Sequence, residues 1–106
     1  MGKMSGGPVD FDYLETYAGG DRQVIAEVLA LFKEQGGIWA AKLSDPGDGW
    51  RDLNHTIKGA ARGIGAVALG DVADRAEGGD PSLALEVRSA LDDVLTAIDS
   101  YVSIKP

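Results

Sequence analysis

Residues 50–66 read Trp50-Arg51-Asp52-Leu53-Asn54-His55-Thr56-Ile57-Lys58-Gly59-Ala60-Ala61-Arg62-Gly63-Ile64-Gly65-Ala66. Apolar residues recur here at three- and four-residue intervals and a glycine follows the last of them. The pattern predicts an amphipathic helix from Trp50 to about Ile64, stopped by Gly65. Leu53, Ile57, Ala60, Ile64 and Val67 gather on one side of it. Arg51, His55, Lys58, Gly59 and Arg62 fall within an arc of about 100° on the other, centred near His55. A helix divided in this way needs apolar partners, and the flanking segments show what kind they are.

Upstream, Val9 to about Tyr17 reads as a short amphipathic helix with Phe11, Leu14 and Tyr17 on one side, closed by Gly19-Gly20. Asp21 then suits the N-cap of a long helix that places Val24, Ile25, Val28, Leu29, Leu31, Phe32, Ile38, Trp39 and Leu43 at helical spacing. Gly36-Gly37 inside it costs about 1 kcal/mol per glycine relative to alanine, so a kink or a close helix contact is expected there. Ser44-Asp45-Pro46-Gly47-Asp48-Gly49 is a turn cluster.

Downstream, a fourth helix from Ala66 to Glu77 turns Leu69, Val72, Ala73 and Ala76 inward and ends at Gly78-Gly79. Asp80-Pro81 reads as an N-cap followed by proline at the first helical position. The last helix buries Val87, Leu91, Val94, Leu95, Ile98 and Tyr101. Residues 1–8, rich in glycine, read as a flexible tail, which leaves 9–106 as one domain. No segment alternates like a strand and no repeat is visible. The expected fold is all-α: an antiparallel bundle of four helices with a short extra N-terminal helix.

Composition narrows the function. A chain of 106 residues without cysteine has neither disulfides nor thiolate metal sites, and is compatible with a reducing cytoplasm. No apolar run approaches membrane-spanning length, so a membrane is not expected as a partner. A net charge of −7 argues against nucleic acid, whose phosphates would be repelled by most of this surface. With one histidine, a metal enzyme is disfavoured. A P-loop or a kinase signature is lacking, which excludes an ATP-using kinase in this chain.

The arc around His55 has an ordinary reading, a solvated basic face. Three details favour a site. Gly59 gives up helix stability and removes the side chain that would hem in the imidazole, while close helix packing is a weak account of a glycine on an outward face. Lys58 can reach a group attached to the imidazole and neutralise phosphate charge. Three basic residues share the arc in a strongly acidic chain. If the chain reverses near Gly65-Ala66, His55 lies eleven residues before Ala66 and Glu77 eleven after, level across the hairpin. Glu77 then either accepts one ring N–H, leaving the other nitrogen's lone pair as nucleophile, or is a solvated acid near a helix end. Asp74 lies level with Lys58, where an ordinary ion pair is expected.

The run from His55 to Ala66 resembles the signature of histidine-containing phosphotransfer (HPt) domains, H-x-x-K-G followed by small residues and a glycine near the helix end. The resemblance extends from Gly19-Gly20-Asp21 to Ala76-Glu77 and covers most of residues 9–102. It implies a four-helix bundle with an extra short helix and a phosphorylatable His55. In such domains the lysine (Lys58) supports the phosphoryl group, the glycine (Gly59) leaves it room, and an acidic or polar residue at the position of Glu77 hydrogen-bonds the imidazole. Many phosphorelay members carry glutamine there, whereas chemotaxis-kinase phosphoryl domains carry glutamate. Arg62 completes the set of expected site residues.

The function expected is that of a phosphocarrier rather than an enzyme, exchanging a phosphoryl group between His55 and an aspartate of a response-regulator receiver. The expected partners are receiver domains or a histidine kinase. The chain needs no cofactor of its own, Mg²⁺ being held by the receiver, and is expected as a cytoplasmic monomer. Phe11 and Leu14 of the first helix either form an apolar patch bordering His55 on which a receiver lands, or simply cap the bundle core. The alternatives are a phosphoryl-accepting domain of a larger chemotaxis-type kinase and a helical adaptor that is never phosphorylated.

Overall fold

The computed structural model describes residues 7–45 and 47–104, with Ile104 described in its backbone alone. Most of the expected 1–8 tail, Pro46 of the turn cluster and the last two residues lie outside this set. Among the described residues there is no strand. Five α-helices follow in order: α1 (Phe11–Tyr17), α2 (Arg22–Ser44), α3 (Trp50–Gly63), α4 (Val67–Glu77) and α5 (Ala84–Ile104). Short 3-10 turns at Gly47–Gly49 and Pro81–Leu83 lead into α3 and α5.

The helix starts are set by side-chain caps. Asp21 accepts the amides of Gln23 and Val24 at 3.0 and 3.2 Å, as its position predicts. Helix α1 begins at Phe11 and not at Val9, because Asp10 caps the Tyr13 amide at 3.1 Å and Val9 turns into the core. Asp80 caps the 3-10 turn at Ser82 instead of starting an α-helix, so α5 begins at Ala84.

Helices α2 and α5 run antiparallel, as paired positions show: Lys33 bonds Asp99, Gly36 abuts Leu95, and the Ala40 carbonyl accepts from Arg88. Of the two outcomes expected at Gly36-Gly37, close contact occurs at Gly36. A Cβ there would lie 2.9 Å from Leu95 Cδ2, whereas Gly37 faces open space and α2 continues through both. The core joins Leu14, Leu29, Phe32, Trp39, Ile57, Leu69, Leu91 and Ile98. Full burial of each such side chain contributes about 1.5–3 kcal/mol.

Several residues read as inward-facing are exposed: Val24, Val28, Leu31 and Ile38 on α2, and Val67 at the start of α4. Helix α2 carries a wider apolar arc than its neighbours cover. Leu95 and Tyr101 are half-buried at the core margin.

Candidate functional site

The site is built on the hairpin of α3 and α4, whose register is pinned at both ends. At the turn, Gly65 adopts φ +82°, which glycine reaches without strain, and the Ala66 amide bonds back to the Ala61 carbonyl at 2.8 Å. A side chain at 65 would also strike the Asp10 carbonyl, 2.9 Å from where its Cβ would sit. At the open end, the buried indole of Trp50 donates to the Ala76 carbonyl at 2.8 Å. Next to it, the fully buried Asn54 donates to the Trp50 carbonyl at 2.9 Å.

Between these pins the polar pairs step down the hairpin. His55 Nδ1 lies 2.8 Å from Glu77 Oε2, Lys58 Nζ lies 2.6 Å from Glu77 Oε1, and Lys58 also reaches Asp74 at 3.3 Å. The structure thus brings His55, Lys58 and Glu77 together. The imidazole is 69% exposed, while Lys58 and Glu77 are 20% and 27% exposed. The contact with Lys58, then that with His55, holds the Glu77 carboxyl below its usual range. The Glu77 contact raises the Lys58 ammonium above its own range against the opposing effect of burial, and the contact with Asp74 adds a lesser push upward. At neutral pH the pair is therefore anion and cation.

An ionised carboxylate only accepts hydrogen bonds, so the ring proton belongs on Nδ1. In the neutral ring Nε2 then carries the lone pair. Helix α4 closes one side of the imidazole with this network. The other side is bare: a Cβ on Gly59, one turn along, would meet nothing within 4 Å, and the same open face continues to Gly63 a further turn away. No packing contact accounts for Gly59.

Arg62 is not brought to the imidazole. It lies two helical turns away, about 10 Å along the axis. There it packs over Gly70 and faces Asp71 and Asp74 at 3.8 and 3.7 Å. Asp74, expected as a simple partner of Lys58, links both cations. Trp50, which sets the register of the site, was not among the expected site residues, because its partner is a backbone carbonyl that leaves no trace in sequence.

Of the two readings of Phe11 and Leu14, the structure favours the core cap over the docking patch. Leu14 is 2% exposed, and Phe11 is half-buried, stacked on Tyr101 with ring centroids 4.2 Å apart. Both cap the core. Exposed apolar side chains include Tyr13 and Tyr17 of α1 and Val24, Val28, Leu31 and Ile38 of α2, besides Val67 on α4 and Leu85 and Val102 on α5. A groove between α2 and α3 is lined by Val28, Leu31, Phe32, Trp39, Thr56 and Ala60. Among the described residues no cluster of three or more histidine or acidic side chains is arranged to hold a metal ion, and no helix is long and apolar enough to cross a membrane.

No family model matches the chain, and no curated protein does. Among solved structures, the crystal structure of the histidine phosphotransferase ShpA from Caulobacter crescentus is similar to it, with 51% sequence identity and a TM-score of 0.84. The match covers 93% of this chain and 94% of that one. Identity at this level over nearly the full length of both chains shows a shared family, and the chain belongs to the histidine phosphotransferases.

Proposed function

We propose that this chain accepts a phosphoryl group on His55 Nε2 and exchanges it with the aspartate of receiver domains in a two-component phosphorelay. The observation that carries this reading is the exposed imidazole whose Nδ1 faces Glu77 at 2.8 Å. In the forward step the Nε2 lone pair attacks the phosphorus of an aspartyl phosphate in line. The N–P bond forms, the P–O bond to aspartate breaks, and the aspartate leaves as a carboxylate. The ring becomes cationic with its proton still on Nδ1, where Glu77 stabilises it. Lys58 supports the phosphoryl oxygens, Gly59 gives them room, and Arg62 contributes longer-range positive charge. Mg²⁺ belongs to the receiver. The chain acts as a carrier, a cytoplasmic monomer in which α2 to α5 form an antiparallel four-helix bundle and α1 is the extra helix.

The receiver lands beside the bare flank of His55. Gly59 and Gly63 leave that flank open, and the exposed Val28 and Leu31 continue it across the groove onto α2. One feature favours a second reading, a phosphoryl-accepting domain of a chemotaxis-type kinase: position 77 is glutamate, as in those domains.

The deciding experiment is incubation with a phosphorylated receiver or with an ATP-loaded kinase core, following acid-labile, alkali-stable label. The receiver should label wild type, and His55→Gln should fold and take none. Faster labelling by the kinase core would favour the second reading. Label retained in His55→Gln would overturn both.

A further inference from the structure

Of the three cations that α3 carries on the His55 face, two are committed to acids. Lys58 is shared by Glu77 and Asp74, and Arg62 faces Asp71 and Asp74. Arg51 is exposed and makes no ion pair among the described residues. Its guanidinium lies against Gly79: a Cβ on that glycine would come within 2.7 Å of Nη2 and 3.2 Å of Cζ. Gly79 follows Glu77 by two residues and holds φ +104°, a backbone conformation that side chains other than hydrogen resist. The acid next in the chain, Asp80, is turned to Ser82, accepting its amide at 3.0 Å and its hydroxyl at 2.6 Å.

We infer that Arg51 contacts the phosphoryl group carried on His55 Nε2 and supplies the uncommitted positive charge of the site. Arg51 precedes His55 by one helical turn on the same face, about 6 Å along the axis. It is drawn over the end of α4 that also bears Glu77. Lys58 and Glu77 largely cancel one another, so a phosphoryl dianion arriving at Nε2 adds negative charge that this pair does not fully balance. A guanidinium offers two parallel N–H donors to two phosphoryl oxygens, a geometry that an ammonium lacks. Arg51 stands outside the H-x-x-K-G run, and the structure marks it by its lack of an acid.

The inference rests on His55 as the phosphoacceptor, and its test separates the two. The whole chain is phosphorylated with phosphoramidate, which needs no partner: Nε2 attacks phosphorus, the P–N bond breaks and ammonia leaves. Phosphorus NMR then follows the rate of labelling and the titration of the phosphoryl group in wild type, Arg51→Ala, Arg51→Gln and Arg51→Lys. Removing a cation that touches the phosphoryl group should raise its second pKa by about half a unit and slow labelling about three- to fivefold, the range of an exposed ion pair. Arg51→Gln keeps the aliphatic stem over Gly79 and should behave like Arg51→Ala. Arg51→Lys should recover part of both effects. Wild-type titration and rate in Arg51→Ala and Arg51→Gln would overturn the inference, even if transfer from a receiver slowed, because that pattern means steering of the partner. Absence of label on wild-type His55 would instead bring down the phosphoacceptor reading itself.

Discussion

Lys58 Nζ sits 2.6 Å from Glu77 Oε1, on the same carboxylate whose other oxygen faces His55. Under the proposed reaction the lysine would meet an incoming phosphoryl group with one contact already made. Its first effect is on Glu77, which it keeps ionised and oriented so that the proton stays on Nδ1. The second effect proposed for it, on the phosphoryl oxygens, would require its contacts with Glu77 and Asp74 to loosen as the anion arrives.

Lys58→Ala removes both effects. Transfer from a phosphorylated receiver should slow at least about tenfold, the worth of a hydrogen bond to a charged group. The melting temperature should fall little, because Glu77 is close enough to the surface to take up water. Rapid-quench rates on the two proteins decide this, and a wild-type rate in the variant would remove Lys58 from the chemistry.

Glu77 gives the fold a defined acid limb. Its folded pKa lies below the ordinary value of 4.5, chiefly through Lys58 and then His55. The stability it contributes is thus complete above pH 4.5 and is lost as pH falls through the lower, folded value. Glu77→Gln removes this term, so its urea stability should decline less steeply than that of wild type as pH is lowered from about 5 to 3. Parallel curves would show that the ion pair contributes nothing measurable. The same variant should still accept label, more slowly, because an amide oxygen can hold Nδ1–H but carries no charge.

Much of this site was legible because a helical hairpin is a ruler. Counting eleven residues either side of Ala66 placed His55 opposite Glu77, and counting eight set Lys58 opposite Asp74. That count holds only because Gly65 turns the chain sharply and Trp50 locks the far end to Ala76. The first device has a sequence signature and the second has none. Periodicity was less informative on α2, where it reports an apolar arc but not how much of that arc a neighbour covers. Hence Leu29 and Phe32 are buried as expected, while Leu31 and Val28 stand in solvent. On α1 the same limit left Leu14 open between docking and the core, which it fills.

That correction moves the docking test. Leu31 is 58% exposed, so Leu31→Ala should leave the melt unchanged while weakening receiver binding about fivefold, the effect of truncating one moderate interface contact. Leu14→Ala should do the reverse, costing about 2–5 kcal/mol of stability with binding unaffected once folded. Titration calorimetry and thermal melts on both variants check the pair. Unchanged affinity in Leu31→Ala, and in Val28→Ala beside it, would place the receiver on another face.

Gly59 and Gly36 offer a comparison in which helix propensity is held constant and only the surroundings differ. Each lies inside a helix, so alanine gains up to about 1 kcal/mol at either position if nothing else changes. At Gly59 nothing lies within 4 Å of the added Cβ, so Gly59→Ala should show most of that gain. At Gly36 the added Cβ would come within 2.9 Å of Leu95 Cδ2. Leu95 must then shift against α2, and Gly36→Ala should gain less or lose. The functional consequence runs the other way. Gly36 is remote from His55 in sequence and packs against α5, so its alanine variant should transfer at the wild-type rate. Gly59→Ala, and more strongly the longer Gly59→Gln, should melt higher and transfer more slowly, because the new side chain occupies the flank left open for the phosphoryl group. If Gly59→Gln melts higher and still transfers at the wild-type rate, the open flank is not where the phosphoryl group sits.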